Sequence, residues 1–211
     1  MSETGQDKSE TCPTCPRQDK TKAGHVQRVR EIEEGNMSSL NLVRRLGTNE
    51  ESDECYTPTN QIEPLFNYLD KTKTYYEATS GKSGLILDAF NASDYNIIGS
   101  NGVDFFNTTS DHVYDGIITN PPYSKKDEFI EHCYKLGKPF ALFLPVAAFQ
   151  GKRRGNLFMK YGMSALVYNN RVDFTGKGQP HFGNAWFMWG FMPANTIHWV
   201  NNPPKQKLRK G

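Results

Sequence analysis

Residues 118–124 read Ile-Thr-Asn-Pro-Pro-Tyr-Ser, an extended run that ends against two prolines and an aromatic ring. Pro121 and Pro122 can continue neither a sheet ladder nor a helix interior, so the strand stops at Asn120. Asn120 then offers an amide oxygen and an NH2, the prolines present carbonyl oxygens with no competing N–H, and Tyr123 offers a flat face. Such a set suits a planar group bearing an exocyclic amine; it suits equally a rigid strand-end turn with a packed tyrosine. A second chemically suggestive stretch is residues 77–84, Glu-Ala-Thr-Ser-Gly-Lys-Ser-Gly. Its Gly-Lys-Ser matches the end of a phosphate loop, but the position five before Gly81 holds Tyr76 where that loop needs glycine, so a nest of N–H groups around a β-phosphate is not specified. The other reading is a loop in which Gly81 and Gly84 let a different cofactor approach the backbone, while Glu77 attracts a cationic group or orients the turn.

Elements of suitable type flank both stretches. Ile62, Leu65, Phe66 and Leu69 fall at the spacing of one helix face. Short strands are expected at 73–77, 96–99 and 114–119, with a helix through Leu85, Ile86, Leu87 and Phe90 between the first two. Residues 127–136 place Phe129, Ile130, Cys133 and Leu136 on one side of a further helix. The nearly unbroken apolar run at 139–145 reads as a strand buried on both faces. A helix holding Leu157 and Phe158, then strands at 165–168, 185–189 and 196–200, complete the series; Trp186 and Trp189 are expected to pack on the sheet. This alternation predicts a three-layer α/β sandwich whose ligands sit at the carboxyl ends of the strands. Residues 77–83 and 120–123 then share one rim.

The chain has 211 residues, 36% apolar and 23% charged, with a formal charge of +2. That is enough for one core, and too mildly basic to announce a nucleic-acid binder by composition. No apolar run is long enough to span a bilayer and the polar start lacks a secretory leader, so the expected location is the cytoplasm, without membrane partners. Residues 1–50 read as a polar, partly disordered arm, 51–200 as the folded domain and 201–211 as a basic tail carrying Lys205, Lys207, Arg209 and Lys210. Lys152, Arg153 and Arg154 form a second basic group that meets a polyanion or a solvated surface. Cys12 and Cys15 have knuckle or redox spacing, with His25 nearby, but Cys55 and Cys133 are singletons and complete no tetrahedral set. His112, His132 and His198 stand in no ligand spacing and read as surface or packing residues. Nothing in the sequence sets an oligomeric state.

In chain order, YTP (56–58), EATSGKSG (77–84), DFF (104–106) and NPPY (120–123) resemble the S-adenosylmethionine-dependent DNA adenine N6-methyltransferases, especially the compact bacteriophage type. The likeness runs on through ALFLPVAAFQGKRRGNLF (141–158), RVDFTGKG (171–178) and NAWFMWG (184–190), over roughly residues 53–191. It implies a Rossmann-like methyltransferase sandwich with a mostly parallel sheet, acting without a metal and, if phage-encoded, in the host cytoplasm. It further implies that Tyr56, Thr57 and Pro58 line the methionine end of S-adenosylmethionine, and that Glu77, Thr79 and Gly81 form the cofactor loop. Ser100 then lies by the ribose, with Asp104 and Phe105 near the cofactor's adenine. Asn120 and the Pro121 carbonyl accept from the target N6 amine, with Pro122 in the same catalytic set, and Tyr123 stacks on an adenine flipped out of duplex DNA. Lys152, Arg153, Arg154 and Lys177 hold the DNA backbone. Two positions depart from the family pattern: Lys82 replaces a small or acidic residue, and Ser100 and Asn101 stand where a carboxylate usually holds the ribose hydroxyls. Neutral side chains there forgo charge-assisted hydrogen bonds. The alternatives left open are an inactive module of the same fold that binds nucleic acid or a partner, and an N-methyltransferase acting on RNA adenine or protein glutamine.

Overall fold

The computed structural model describes residues 57–80, 84–100, 102–109, 113–171 and 182–201, all within Arg45–Gly211. The expected arm with Cys12, Cys15 and His25, together with Cys55, Tyr56, Gly81, Lys82, Asn101, His112, Lys177 and the basic tail, lies outside them.

Two 3-10 turns, Thr59–Gln61 and Glu63–Tyr68, stand where the spacing suggests a helix face. Pro64 near the start of the second has no N–H to give, and the chain bonds at i+3, as Leu65 N to the Ile62 carbonyl at 2.9 Å. Ile62 and Leu65 are nonetheless fully buried. The regular elements follow as β1 (Thr74–Glu77), α1 (Leu85–Ala92), β2 (Asn96–Gly99), β3 (Gly116–Thr119), α2 (Lys126–Leu136) and β4 (Phe140–Pro145). They continue with α3 (Lys152–Tyr161), β5 (Ser164–Tyr168), β6 (Asn184–Trp189) and β7 (Ile197–Val200). Helix α2 shows why such segments form here: Asp127 and Glu128 face the positive end of its dipole, Lys135 the negative end, and Gly137 stops it at φ +67°.

The seven strands of the described residues make one sheet in the order β2-β1-β3-β4-β6-β5-β7. β1 pairs in parallel with β2 and β3, β3 with β4, and β5 with β7; β6 alone runs antiparallel, between β4 and β5. Alternate residues of the strands feed two cores. Tyr76, Ile117, Phe140, Leu142, Ala165 and Phe187 pack under α2 and α3, while Tyr75, Ile118, Ala141, Phe143, Leu166 and Trp186 pack under α1 and the 3-10 turns. The expected α/β sandwich with a mostly parallel sheet is therefore observed, and it is Rossmann-like in its winding.

That winding positions the site. β1 has β2 on one side and β3 on the other, so the chain changes direction of travel across the sheet there. Open α/β sheets leave a crevice outside the carboxyl ends of the strands at such a switch point. Glu77 ends β1 and Thr119 ends β3.

Candidate functional site

Glu77 is a carboxyl group taken out of water, 1% exposed at the end of β1. Its Oε1 accepts from the Thr79 amide at 2.9 Å, from Thr79 Oγ1 at 3.2 Å and from Thr119 Oγ1 at 2.5 Å. Its Oε2 is buried and has no hydrogen-bond partner. Burial raises the pKa to about 7 against the pull of those three donors, because the charged form loses more in desolvation than the bonds return. Thr79 Oγ1 in turn lies 2.6 Å from Thr119 Oγ1 and 3.0 Å from the Asn120 carbonyl oxygen. The loop after β1 is thus bonded to the turn after β3 through the part-buried Thr79 and the buried Thr119. One residue further on, Ser80 Oγ meets Ser100 Oγ at 3.0 Å, beside a crowded Gly99 whose added Cβ would stand 3.1 Å from Leu87 Cδ1 and 3.2 Å from Ser80 Oγ.

The two prolines do end the strand. Pro122 leads into a 3-10 turn, Tyr123–Lys125, and then into α2, with Lys126 Nζ closing the turn onto the Tyr123 carbonyl at 2.9 Å. Tyr123 is only 6% exposed. Its hydroxyl accepts from Asn184 Nδ2 at 2.7 Å, and Phe182 packs across it at 74° with ring centroids 6.0 Å apart. Asn184 pairs with Pro145 at the carboxyl end of β4, because β6 enters the sheet antiparallel at this rim. Its Oδ1 is buried with no partner.

The other expected cofactor residues are placed more loosely. Thr57 is buried with an unpartnered hydroxyl, and Pro58 begins the first 3-10 turn. Asp104 is exposed and caps a short turn by accepting from the Phe106 amide at 3.1 Å. Phe105 turns inward and stacks on Phe129 at 4.8 Å and on Tyr76, the residue before Glu77, at 6.4 Å. His132 packs edge-on to Phe105 and its pKa is lowered by burial, which fits a packing histidine. His198 bonds Tyr68 Oη at 2.8 Å.

The three basic residues at the start of α3 divide. Lys152 is exposed. Arg153 is half-exposed and pairs with Glu128 at 3.4 Å and with Glu131. Arg154 turns inward, bonding Asp127 of α2, the Gln150 carbonyl and, at 2.8 Å, the Ala148 carbonyl. Its guanidinium ties the β4–α3 turn to α2.

Glu77, Thr79, Asn120 and Ser100 are thus brought to one rim by the β1, β2 and β3 ends. Sequence reasoning missed Thr119 and Asn184. Thr119 directly precedes Asn120 and Asn184 opens the NAWFMWG run, so both lay beside segments already singled out. Among the described residues, no group of three or more His, Cys, Asp or Glu side chains could hold a metal ion, and no helix is long and apolar enough to cross a membrane.

No family model and no curated protein matches the chain. Among solved structures, it is similar at 13% identity and a TM-score of 0.47 to one from Vibrio vulnificus described as a modification subunit of a type I restriction enzyme, covering 83% of this chain. The chain spans about half, 54%, of that subunit. It is also similar at 13% identity and a TM-score of 0.47 to a protein from Listeria monocytogenes described as a class I S-adenosylmethionine-dependent methyltransferase, covering 82% of this chain and 72% of that one. At these values the likeness is one of chain path, and it transfers no residue role, substrate or partner.

Proposed function

We propose that this chain transfers a methyl group from S-adenosylmethionine to the N6 amine of adenine in DNA. The observation that carries the reading is at the switch-point strand ends, where a buried carboxyl group with an unpartnered oxygen is bonded through Thr79 and Thr119 to the strand end of an Asn-Pro-Pro-Tyr turn. An unpaired buried oxygen costs about 1–3 kcal/mol unless a ligand supplies its donor. The cofactor fits that need: its ammonium group is a donor for Glu77 Oε2, and its positive charge favours the ionised form that burial disfavours. Thr57 offers a second unpartnered buried group, and Ser100 meets Ser80 where β1 and β2 end. When bound, the cofactor supplies a methyl group already activated on a cationic sulfur.

The residues of the chain supply alignment. In adenine the amine lone pair is delocalised into the ring, so acceptors at Asn120 Oδ1 and the Pro121 carbonyl draw on its two hydrogens and favour a tetrahedral, nucleophilic nitrogen. Tyr123, anchored at its phenol by Asn184, gives the flipped base a ring to stack on once Phe182 moves aside. Lys152 and Arg153 hold the backbone without reading sequence, together with Lys177.

A second reading has one observation in its favour: Ser100 is satisfied by Ser80 and carries no charge for a ribose. In it the fold is kept, the reaction is lost, and the chain serves as a nucleic-acid-binding or partner-binding module. Calorimetric titration with the demethylated cofactor separates the two. The enzyme requires micromolar-range binding, about −8 kcal/mol. No heat at millimolar ligand contradicts the enzyme and favours the module.

A further inference from the structure

Three oxygen–oxygen links run in series from the buried carboxyl group to the strand end. Glu77 Oε1 lies 2.5 Å from Thr119 Oγ1, Thr119 Oγ1 lies 2.6 Å from Thr79 Oγ1, and Thr79 Oγ1 lies 3.0 Å from the Asn120 carbonyl oxygen; the direct Thr79 Oγ1–Glu77 Oε1 contact is longer, at 3.2 Å. The first two are short enough that each needs a proton between its oxygens, since facing lone pairs repel at that distance. The two threonines bring only two hydroxyl protons. With the carboxyl group ionised, Thr119 donates to Glu77, Thr79 donates to Thr119, and no proton is left for the Asn120 carbonyl. With the carboxyl group protonated on Oε1, a third proton completes the series: Glu77 donates to Thr119, Thr119 to Thr79, and Thr79 to the Asn120 carbonyl.

We infer that Thr119 and Thr79 are positioning residues forming a two-state hydroxyl relay, through which a cationic group arriving at Glu77 withdraws the Thr79 hydrogen bond from the Asn120 carbonyl. No heavy-atom bond is made or broken. The carboxyl O–H gives its proton to solvent, and the two hydroxyls rotate to reverse their direction. Burial raises the Glu77 pKa to about 7, so the carboxyl group changes its charge near neutral pH. Among the described residues no charged side chain contributes to its pKa; its neighbour Tyr76 is a phenol whose pKa is raised first by burial and less by Tyr114 and Glu77, β3 faces it with Thr119, and the hydroxyls of Ser80 and Ser100 do not titrate. The relay rests on these oxygen–oxygen distances, and its use rests on the methyl-transfer reading, in which loading the cofactor side readies the turn that grips the target amine. Cofactor then binds before target.

Isotope-labelled full chain tests this by carbon-13 NMR, following the Glu77 carboxyl carbon and the Asn120 carbonyl carbon across pH 4.5 to 9. The two should titrate with one midpoint in the wild type. In Thr119→Val and Thr79→Val, Glu77 should still titrate, with its midpoint raised by the lost donor, while the Asn120 carbonyl stops following. A wild-type Asn120 carbonyl that stays flat through the Glu77 titration overturns the relay, as does one that follows it equally in both valine variants. Addition of the demethylated cofactor at pH 6 should move the Asn120 carbonyl toward its high-pH position. A relay that titrates while calorimetry shows no binding of this ligand stands as a relay and overturns the methyl-transfer reading; ligand that binds with no Asn120 response overturns the coupling of the relay to the cofactor and leaves the methyl-transfer reading in place.

Discussion

The Glu77 carboxyl group is more basic in the folded protein, at about 7, than at its ordinary value of 4.5. Between those values the native state holds a proton that the unfolded chain has released, so the stability this group contributes is fully present below pH 4.5 and is lost as pH rises through 7. Glu77→Gln removes the titration. Between pH 4.5 and 8 the difference in unfolding free energy should therefore swing toward the variant by on the order of 3 kcal/mol, read from urea unfolding at several pH values. A swing toward the wild type would contradict the burial of this carboxyl group. A cationic ligand reverses the preference: affinity for the demethylated cofactor should rise with pH through 7, with proton release detectable by calorimetry in buffers of different ionisation heat, and Glu77→Gln should abolish both trends. Ser100 sets the other limit of the site. Ser100→Asp should strengthen cofactor binding by roughly 1–3 kcal/mol, the value of a charge-assisted hydrogen bond to the ribose. An unchanged affinity would mean that the ribose does not reach the end of β2.

At the scale of elements, α2 and α3 are tied by two arginines with different duties. Arg154→Ala strands the part-buried Asp127 and two carbonyl groups and should cost about 2–3 kcal/mol in unfolding free energy. Arg153→Ala should cost well under about 1 kcal/mol, because its partners stay in solvent. If Arg153 meets a DNA phosphate, the same substitution should lower the slope of log affinity against log salt by about one. Sequence periodicity located the elements well: β2 is read to the residue, and β1, α2, β4 and β6 within one or two, because apolar spacing and punctuating Gly and Pro are local signals. The 3-10 form of residues 59–68 was not legible, since a helix-face spacing is shared by both helix types and Pro64 only tips the balance. Nor could the inward turn of Arg154 be read. A run of three cations looks solvated until α2, 27 residues upstream in the Asp127 pair, is packed beside it.

For the whole molecule, alternation of strand and helix gave a mostly parallel sheet, but not the strand order or the antiparallel β6. Those depend on which edges pair, as between Pro145 and Asn184, and no local pattern encodes that. The consequence for the site is direct. Asn120, Glu77 and Tyr123 were legible from residue type, whereas Asn184 comes to Tyr123 from 61 residues away and Thr119 acts only because β1 and β3 are neighbours. The long-range closure also has an energetic anchor: Trp186, fully buried, donates to the Gln61 carbonyl at 2.8 Å, and Trp186→Ala should cost about 3–5 kcal/mol in chemical unfolding. The central claim is tested by incubating the full chain with S-adenosylmethionine labelled in its methyl group and unmodified duplex DNA, then digesting the DNA to nucleosides. The account predicts label in N6-methyladenine from the wild type and at least about a hundredfold less from Asn120→Ala, whose unfolding transition should match the wild type. Label found only on RNA or on protein glutamine, or no transfer to DNA by a protein that binds the cofactor, would contradict it.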